Sequence, residues 1–325
     1  MGRAEGEGRG GTFSRFVLLW ERFMHLPDGF LSTPIWAGMA AVSAPSVGYL
    51  ARRAQAGLEE SRVPLLGVMG AFVFAAQMIN FPVGPGTTGH LMGAALLAYT
   101  LGPSSASVVM TAILAIQALV FQDGGVLALG ANVFNMSIAG VAAAYLPCRL
   151  WGSGGRRSLA VFFGAALSVL TTAALALVEL RVSGVTMPGP VAGLAIGLFA
   201  VNAVLEGGLT LAVIRALERM EPGWVRMPSA GGYRALSAAG LVACLLAVVG
   251  VLAVASDPDT LEKLAGNLGI ASRAKVVFGT PFADYETGFL SGSWLRRSSA
   301  GVLGLALVFG ASILAGKVLA RRRGS

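Results

Sequence analysis

The sequence predicts an all-α fold: a polytopic transmembrane helical bundle of about nine membrane helices with one extracytoplasmic loop region. Three observations predict it. First, of 325 residues 55% are hydrophobic and only 12% charged, with mean hydropathy +0.73. That is about half the charged share of a soluble chain. So few charges cannot coat a water-facing surface. The exterior therefore faces lipid, and the spans are helical because backbone groups in hydrocarbon need internal partners. Second, apolar runs of about the 20 residues needed to span occur at 32–51, 64–81, 104–121, 126–147, 158–180, 190–214, 235–255 and 299–320. A shorter run, 89–102, ends at Gly102-Pro103 and is counted as the ninth. Third, the arginines cluster between these runs in four groups: Arg52, Arg53 and Arg62; Arg149, Arg156 and Arg157; Arg215, Arg219, Arg226 and Arg234; and Arg321-Arg322-Arg323. With nine spans all four fall on the cytoplasmic face, as the positive-inside rule requires. The 45 glycines suit close helix approach in a bilayer.

The opposite face then holds Phe81–Gly89, Gln122–Gly125, Arg181–Gly189 and the long polar segment Ser256–Arg297. That last segment separates two apolar runs from the rest, so a second unit begins near residue 235. The net charge of +8 belongs to the loops and does not indicate nucleic acid. Cys148 and Cys244 lie far apart in or beside apolar runs, so they are read as buried, inert thiols with no disulfide and no thiolate metal site. Residues 1–23 are rich in Gly and Arg, with one short apolar patch at Phe16–Trp20. Their four arginines would lie outside, against the charge rule. The segment is read as either a mis-assigned start or a leader that is removed.

The chain has two histidines, His25 and His90. Both sit in short Gly/Pro-marked segments on the outer face, each beside a turn. A lone histidine is usually structural; two on one face suggest a shared ligand pair. Imidazole suits Ni, Co, Cu and Zn, and the lack of thiolates or clustered carboxylates argues against soft or hard metals. If Met24 were the chain end, its amine, the His25 amide and the His25 ring could form two fused chelate rings, with His90 as fourth ligand. Such a set favours Ni(II) or Cu(II) and weakens as pH falls, because every ligand must be deprotonated. His90 is expected to open a helix, whose positive end would keep the ring neutral.

These segments also carry a resemblance. Met24–Ser32 (MHLPDGFLS), Asn80–Ala94 (NFPVGPGTTGHLMGA) and Gly124–Gly140 (GGVLALGANVFNMSIAG), in that order, resemble the CbiM/NikM family, the substrate-binding components of energy-coupling factor transporters for cobalt and nickel. The resemblance covers about 24–217. It implies Met24, His25 and His90 as metal ligands, Ni2+ or Co2+ as the transported substrate, and two partners: a transmembrane coupling subunit (CbiQ/NikQ-like) and an ATPase subunit (CbiO/NikO-like). The segment from 235 on resembles the family's small CbiN/NikN partner. Its Asp257–Lys263 is similar to a Pro-Asp-Gly-Leu-Glu signature, with Thr260 in place of Gly, and Phe282–Glu286 is similar to a later Pro-Asp-Tyr stretch. The expected organisation is an extension at 1–23, a metal-binding domain at 24–217, a cytoplasmic linker at 218–234, and a two-helix unit at 235–325 with its loop at 256–297.

Other residues keep two readings. Asp28 either orients a ligand or makes the Asp-Gly turn. Asn80, Thr87 and Thr88 either line the site or cap the loop that Pro82, Gly84, Pro85 and Gly86 shape. Glu206, mid-span, is an intramembrane functional candidate, read as an interhelical hydrogen bond or a subunit contact rather than a ligand. Glu179 is read as an ion pair with Arg181. The pairs Ala37/Ala41 and Ala40/Ala44, and Gly193/Gly197, either dock a partner or simply pack tightly. Asn135-Met136-Ser137 lies inside a span and is discounted as a glycosylation site. Gly316-Lys317 lacks the other P-loop residues, so the chain is expected to have no ATP site and no enzymatic role. The sequence thus reads as the binding component of a cobalt or nickel importer in a prokaryotic cytoplasmic membrane. Its rivals are a proton-coupled secondary metal transporter using Glu206 and a non-transporting membrane scaffold.

Overall fold

The computed structural model describes residues 25–152, 154–220, 233–249 and 258–321. Met24, the extension before it and most of the expected linker lie outside the described residues. Each apolar run forms a helix: α1 (Thr33–Gly57), α2 (Val63–Gln77), α3 (Ala94–Leu101), α4 (Pro103–Phe121), α5 (Leu129–Trp151), α6 (Arg157–Val182), α7 (Gly189–Met220), α8 (Tyr233–Val248) and α10 (Ser293–Arg321). Between α8 and α10 lies the short α9 (Thr260–Asn267). Among the described residues, five helices, α4 to α7 and α10, are long and apolar enough to cross a membrane. Large apolar side chains such as Leu194, Ile196, Val201 and Val204 on α7 stay exposed, as expected of a surface that meets lipid.

Two expectations are corrected before α3. The run 89–102 is not a full span: α3 has 8 residues, well short of about 20. And His90 does not open a helix. It ends the second strand of an antiparallel hairpin, β1 (Asn80–Gly84) and β2 (Thr87–His90), in which it faces Asn80. The hairpin forms because Pro85-Gly86 supplies the turn, with Gly86 at φ 57°, a conformation that needs no Cβ. Helix α3 begins only after Gly93, which sits at φ 74°.

Between strand and helix, Leu91–Gly93 is irregular and buried. Its backbone groups find partners on side chains of other helices. Glu206 of α7 accepts the Met92 and Gly93 N–H groups at 2.8 and 2.9 Å. Gln77 of α2 donates to the Met92 carbonyl at 2.8 Å and accepts from Gln117 of α4 at 3.0 Å. Glu206 is therefore an anchor at the start of α3, in keeping with its reading as a structural hydrogen bond.

The loops alternate between two ends of the bundle. At one end Arg62 donates to the Thr100 carbonyl and Arg157 pairs with Glu218. At the other, the segment Pro258–Gly292 touches the hairpin, the Leu26–Gly29 segment and the α4–α5 loop. Helices α8 and α10 pack on α2: Gly304 meets Phe74, and Gly67 meets Ile313. Two further expectations fail. Glu179 is buried and accepts from Asn135 at 2.9 Å rather than pairing with Arg181; residues two apart on a helix face different ways. Cys148 and Cys244 are free, but neither is fully buried: Cys148 is half-buried, and Cys244 is exposed on α8, since a helix packed along one side leaves its other face outward.

Removing the Glu206 carboxylate orphans two buried N–H groups, each costing about 1–3 kcal/mol. Glu206→Ala is expected to lower the melting temperature in detergent sharply. Glu206→Gln, which keeps one acceptor, should fall between the two; equal melting of all three proteins contradicts the anchor.

Candidate metal centre

Three non-helical segments meet at the end of the bundle that holds the Pro258–Gly292 loop. The first is the stretch from His25 to Gly29. The Asn132 side chain grips its backbone from both sides, accepting from the Leu26 N–H and donating to the Leu26 carbonyl, each at 3.0 Å. Asp28 accepts three N–H groups, from Val126, Leu127 and Ala128, at 2.8–3.0 Å. These groups precede the first turn of α5, where backbone donors lack helical partners and favour an anion. Asp28 is thus a clasp between two segments and orients no ring. Gly124 and Gly125 allow the approach: a Cβ on Gly124 would sit 2.8 Å from the His25 Cβ, and one on Gly125 would collide with Asp28.

The second segment is the hairpin. Thr87 and Thr88 are fully buried. Thr87 bonds the Pro85 carbonyl, and the Thr88 N–H donates to the Pro258 carbonyl. Asn80, opposite His90, is half-buried. All three shape the hairpin, and none lines the cavity described below. The third segment, Gln122–Ala128, contributes Asp123.

These placements bring the two histidines together. Their ring centroids lie 6.0 Å apart, tilted by 56°. With metal–imidazole bonds of about 2.0–2.1 Å, and the ring radius added on each side, one cation can join rings whose centroids are up to roughly 6.4 Å apart. Both rings line a cavity of ≈ 80 Å³. Met92, Asn132, Asn135, Thr172 and Asn202 also line it. The Asn202 and Asn135 side-chain oxygens are buried acceptors without a hydrogen-bond donor. The His25 Nδ1 lies 3.1 Å from Asp123 Oδ1, while its Nε2 is buried with no hydrogen-bond partner. The His90 Nδ1 faces the Leu91 carbonyl at 3.1 Å, which suits a protonated Nδ1 and a lone pair on Nε2.

Nδ1 of His25 is the nitrogen that a chelate with its own amide would use, and here it faces Asp123. The ring nitrogen left for an ion in this conformation is Nε2. Among the described residues no group of three or more His, Cys, Asp and Glu side chains forms a metal cluster, so two imidazoles are the metal-binding side chains on hand. Burial raises the pKa of Asp123, but the His25 charge and hydrogen bond, the Tyr285 hydroxyl and the His90 charge outweigh it and leave it lowered.

The sequence reading missed Asp123, Asn132, Asn135 and Asn202. Asn132 and Asn135 stand in the third family-like motif, on a helix that widens into a π-helical stretch at Val133–Gly140; such stretches occur often at functional sites. Asn202 lies four residues before Glu206 on α7.

The chain is similar to known metal transport proteins. Residues 25–224 match the family described as CbiM, cobalt uptake substrate-specific transmembrane region. The fused nickel transport protein NikMN of Rhodobacter capsulatus is 29% identical over 93% of this chain and 100% of that protein. The cobalt transport protein CbiM of Thermosediminibacter oceani is 35% identical over 60% of this chain and 84% of its own. A crystal structure of a truncated transition metal transporter superposes with a TM-score of 0.53 at 31% identity, covering 60% of this chain and 98% of that one. With its family match spanning well over half its length and both histidines inside it, the chain belongs to the CbiM family of cobalt and nickel transport components and is a multi-pass membrane protein.

Proposed function

We propose that this chain is the substrate-binding component of an energy-coupling factor importer that captures Ni2+ or Co2+ from the extracytoplasmic side. The observation that carries the reading is the convergence of His25 and His90, from segments far apart in sequence, on one cavity. Their two imidazoles are the proposed side-chain ligands. Met24 is the proposed source of a third nitrogen where the chain end is free there. Asn135 and Asn202 add acceptors without protons, a lining that favours a cation. The arginine-bearing loops at the far end of the bundle then face the cytoplasm. A coupling subunit and an ATPase supply the energy for release inward. The unit from 235 on acts as a fused auxiliary component, as in the R. capsulatus protein named for its fusion.

The proton-relay rival gains nothing from the structure. Both oxygens of Glu206 are committed to backbone N–H groups at the start of α3.

His25→Ala and His90→Ala are each expected to weaken Ni2+ and Co2+ binding, read by calorimetry on purified protein. The loss should exceed the roughly 10–100-fold that follows removal of a residue that only orients a ligand. Wild-type affinity in either variant would sink the reading. Binding should also weaken as pH drops, because protonated imidazole cannot coordinate; a pH-independent affinity from 8 to 5 contradicts it. A chain beginning at Met24 is expected to bind more tightly than the full chain, and equal affinities remove the amine from the ligand set.

A further inference from the structure

The start of α10 carries apolar side chains that no described residue covers. Phe289, Leu290, Trp294 and Leu295 are 72%, 38%, 43% and 52% exposed. All four fall between residues 289 and 295, so they form a patch rather than scattered single exposures. Ordered backbone holds them there. The Thr287 N–H donates to the Arg296 carbonyl, and the Arg296 N–H to the Gly292 carbonyl, each at 3.0 Å. The Thr287 and Ser299 hydroxyls share a hydrogen bond at 2.6 Å, and Phe289 meets Phe282 edge-on. Neighbouring charge is neutralised, because Glu286 pairs with Arg296 at 2.9 Å and with Arg297 at 3.0 Å. The Trp294 indole N–H donates to the Val248 carbonyl on α8 at 3.1 Å. Its polar tip is therefore satisfied while much of its ring faces out, the division that suits a boundary between apolar and wet surroundings.

Two observations say what covers the patch. Leu295, Val302 and Phe309 are spaced seven apart, which puts them on one face of α10, and all three are exposed. The patch thus continues the stripe that this span turns to lipid. The length of α10 agrees. Its 29 residues rise about 43 Å at 1.5 Å each, close to the roughly 40–45 Å of a bilayer with its headgroups. With Arg321 at one surface, the Trp294 turn reaches the headgroup layer of the other, where tryptophan is enriched. We propose that Phe289, Leu290, Trp294 and Leu295 form a foot seated in the headgroup layer of the bilayer. The foot ends the Pro258–Gly292 loop, which touches the three segments around the cavity. That loop is thereby fastened to the membrane surface as well as to the protein. The inference rests on the membrane placement of α10 and not on any ligand of the cation.

The test uses the full chain in nanodiscs of phosphatidylcholine and phosphatidylglycerol, which leave both faces open to solvent. The first reading needs no substitution. A carbene precursor dissolved in the bilayer is photolysed, and tryptic peptides are mapped by mass spectrometry. The peptide 276–296 is expected to carry label on the patch, and the neighbouring peptide 264–273 to carry little. The second reading places a spin label at Phe289→Cys or Leu295→Cys, with Cys148→Ser and Cys244→Ser beneath. Collisions with oxygen, which concentrates in lipid, are compared with collisions with chromium oxalate, which stays in water. Oxygen is expected to dominate several-fold at both positions, as at Leu314→Cys within the span, and chromium oxalate to dominate at Ser272→Cys, exposed elsewhere on the loop. An unlabelled 276–296 peptide overturns the proposal. So does a water-like ratio at both positions. Shielding from both reagents overturns it as well, because a second copy of the chain would then cover the patch. Metal binding enters none of these readings, so a chain that binds no Ni2+ or Co2+ would refute the proposed function and leave the foot standing.

Discussion

The structure depends on satisfying an irregular stretch of backbone inside a protein made for lipid. Hydrocarbon offers no hydrogen bonds, so non-helical chain at that depth persists only where protein surrounds it. Leu91–Gly93 meets the condition by borrowing side chains from three helices: Glu206 for two N–H groups, Gln77 for a carbonyl, and Gln117 to hold Gln77. Every one of these residues would be costly in lipid on its own account. Each is tolerated because the irregular segment needs it. The purpose is visible one residue upstream. Chain that is neither helix nor exposed loop lets β2 end inside the bundle, with His90 at its tip.

The other histidine arrives by a different solution to the same problem. The segment from His25 to Gly29 has no regular structure of its own, and it gains order by capping the start of α5. Asp28 binds three backbone donors and Asn132 binds Leu26 through both of its amide atoms. One acid and one amide replace a strand. The glycines at 124 and 125 matter because this docking is close, with Asp28 occupying the volume a side chain at 125 would need. Two anchors from opposite sides therefore decide that the rings stand 6.0 Å apart, within reach of one ion.

How much of this could be read from the sequence follows the range of the interactions involved. Helices are visible because hydropathy is a local property of a run, and each apolar run became one. Their lengths were less visible: 89–102 reads as one short apolar run, yet only eight residues of it are helical, because Gly93 starts the helix late. The histidine pair was legible since both rings sit in polar, glycine-marked segments of an apolar chain. The hairpin escaped because Pro82, Gly84, Pro85 and Gly86 read as loop; cross-strand pairing with the later Thr87–His90 gives no local sign. Asp28 showed itself as a turn residue, but its three partners lie about a hundred positions away. The same distance hid Asp123, whose significance comes from His25 on one side and Tyr285 on the other. Asn135 and Asn202 likewise look like unremarkable polar residues within spans until a cavity joins them.

A site for cargo differs from a site for a resident metal in needing a way out. Occupancy must be favourable enough for capture yet weak enough to end. The arrangement here is suited to that. Both imidazoles are carried by segments without helical backbone, so neither is fixed by the rigid ladder that would hold a ligand on a helix. His25 is held by a few side-chain hydrogen bonds, individually worth about 1 kcal/mol net and more where charge is involved, and His90 by the backbone pairing of the hairpin. The Pro258–Gly292 loop adds to all three segments at once: Pro258 to Thr88, Lys275 to Asp28, and Tyr285 to Asp123. The first two of these contacts are made by loop backbone, whereas Tyr285 packs into the core against Phe121 and Phe74. Rigid helices define where the cavity is, and a small set of hydrogen bonds defines how its two imidazoles stand.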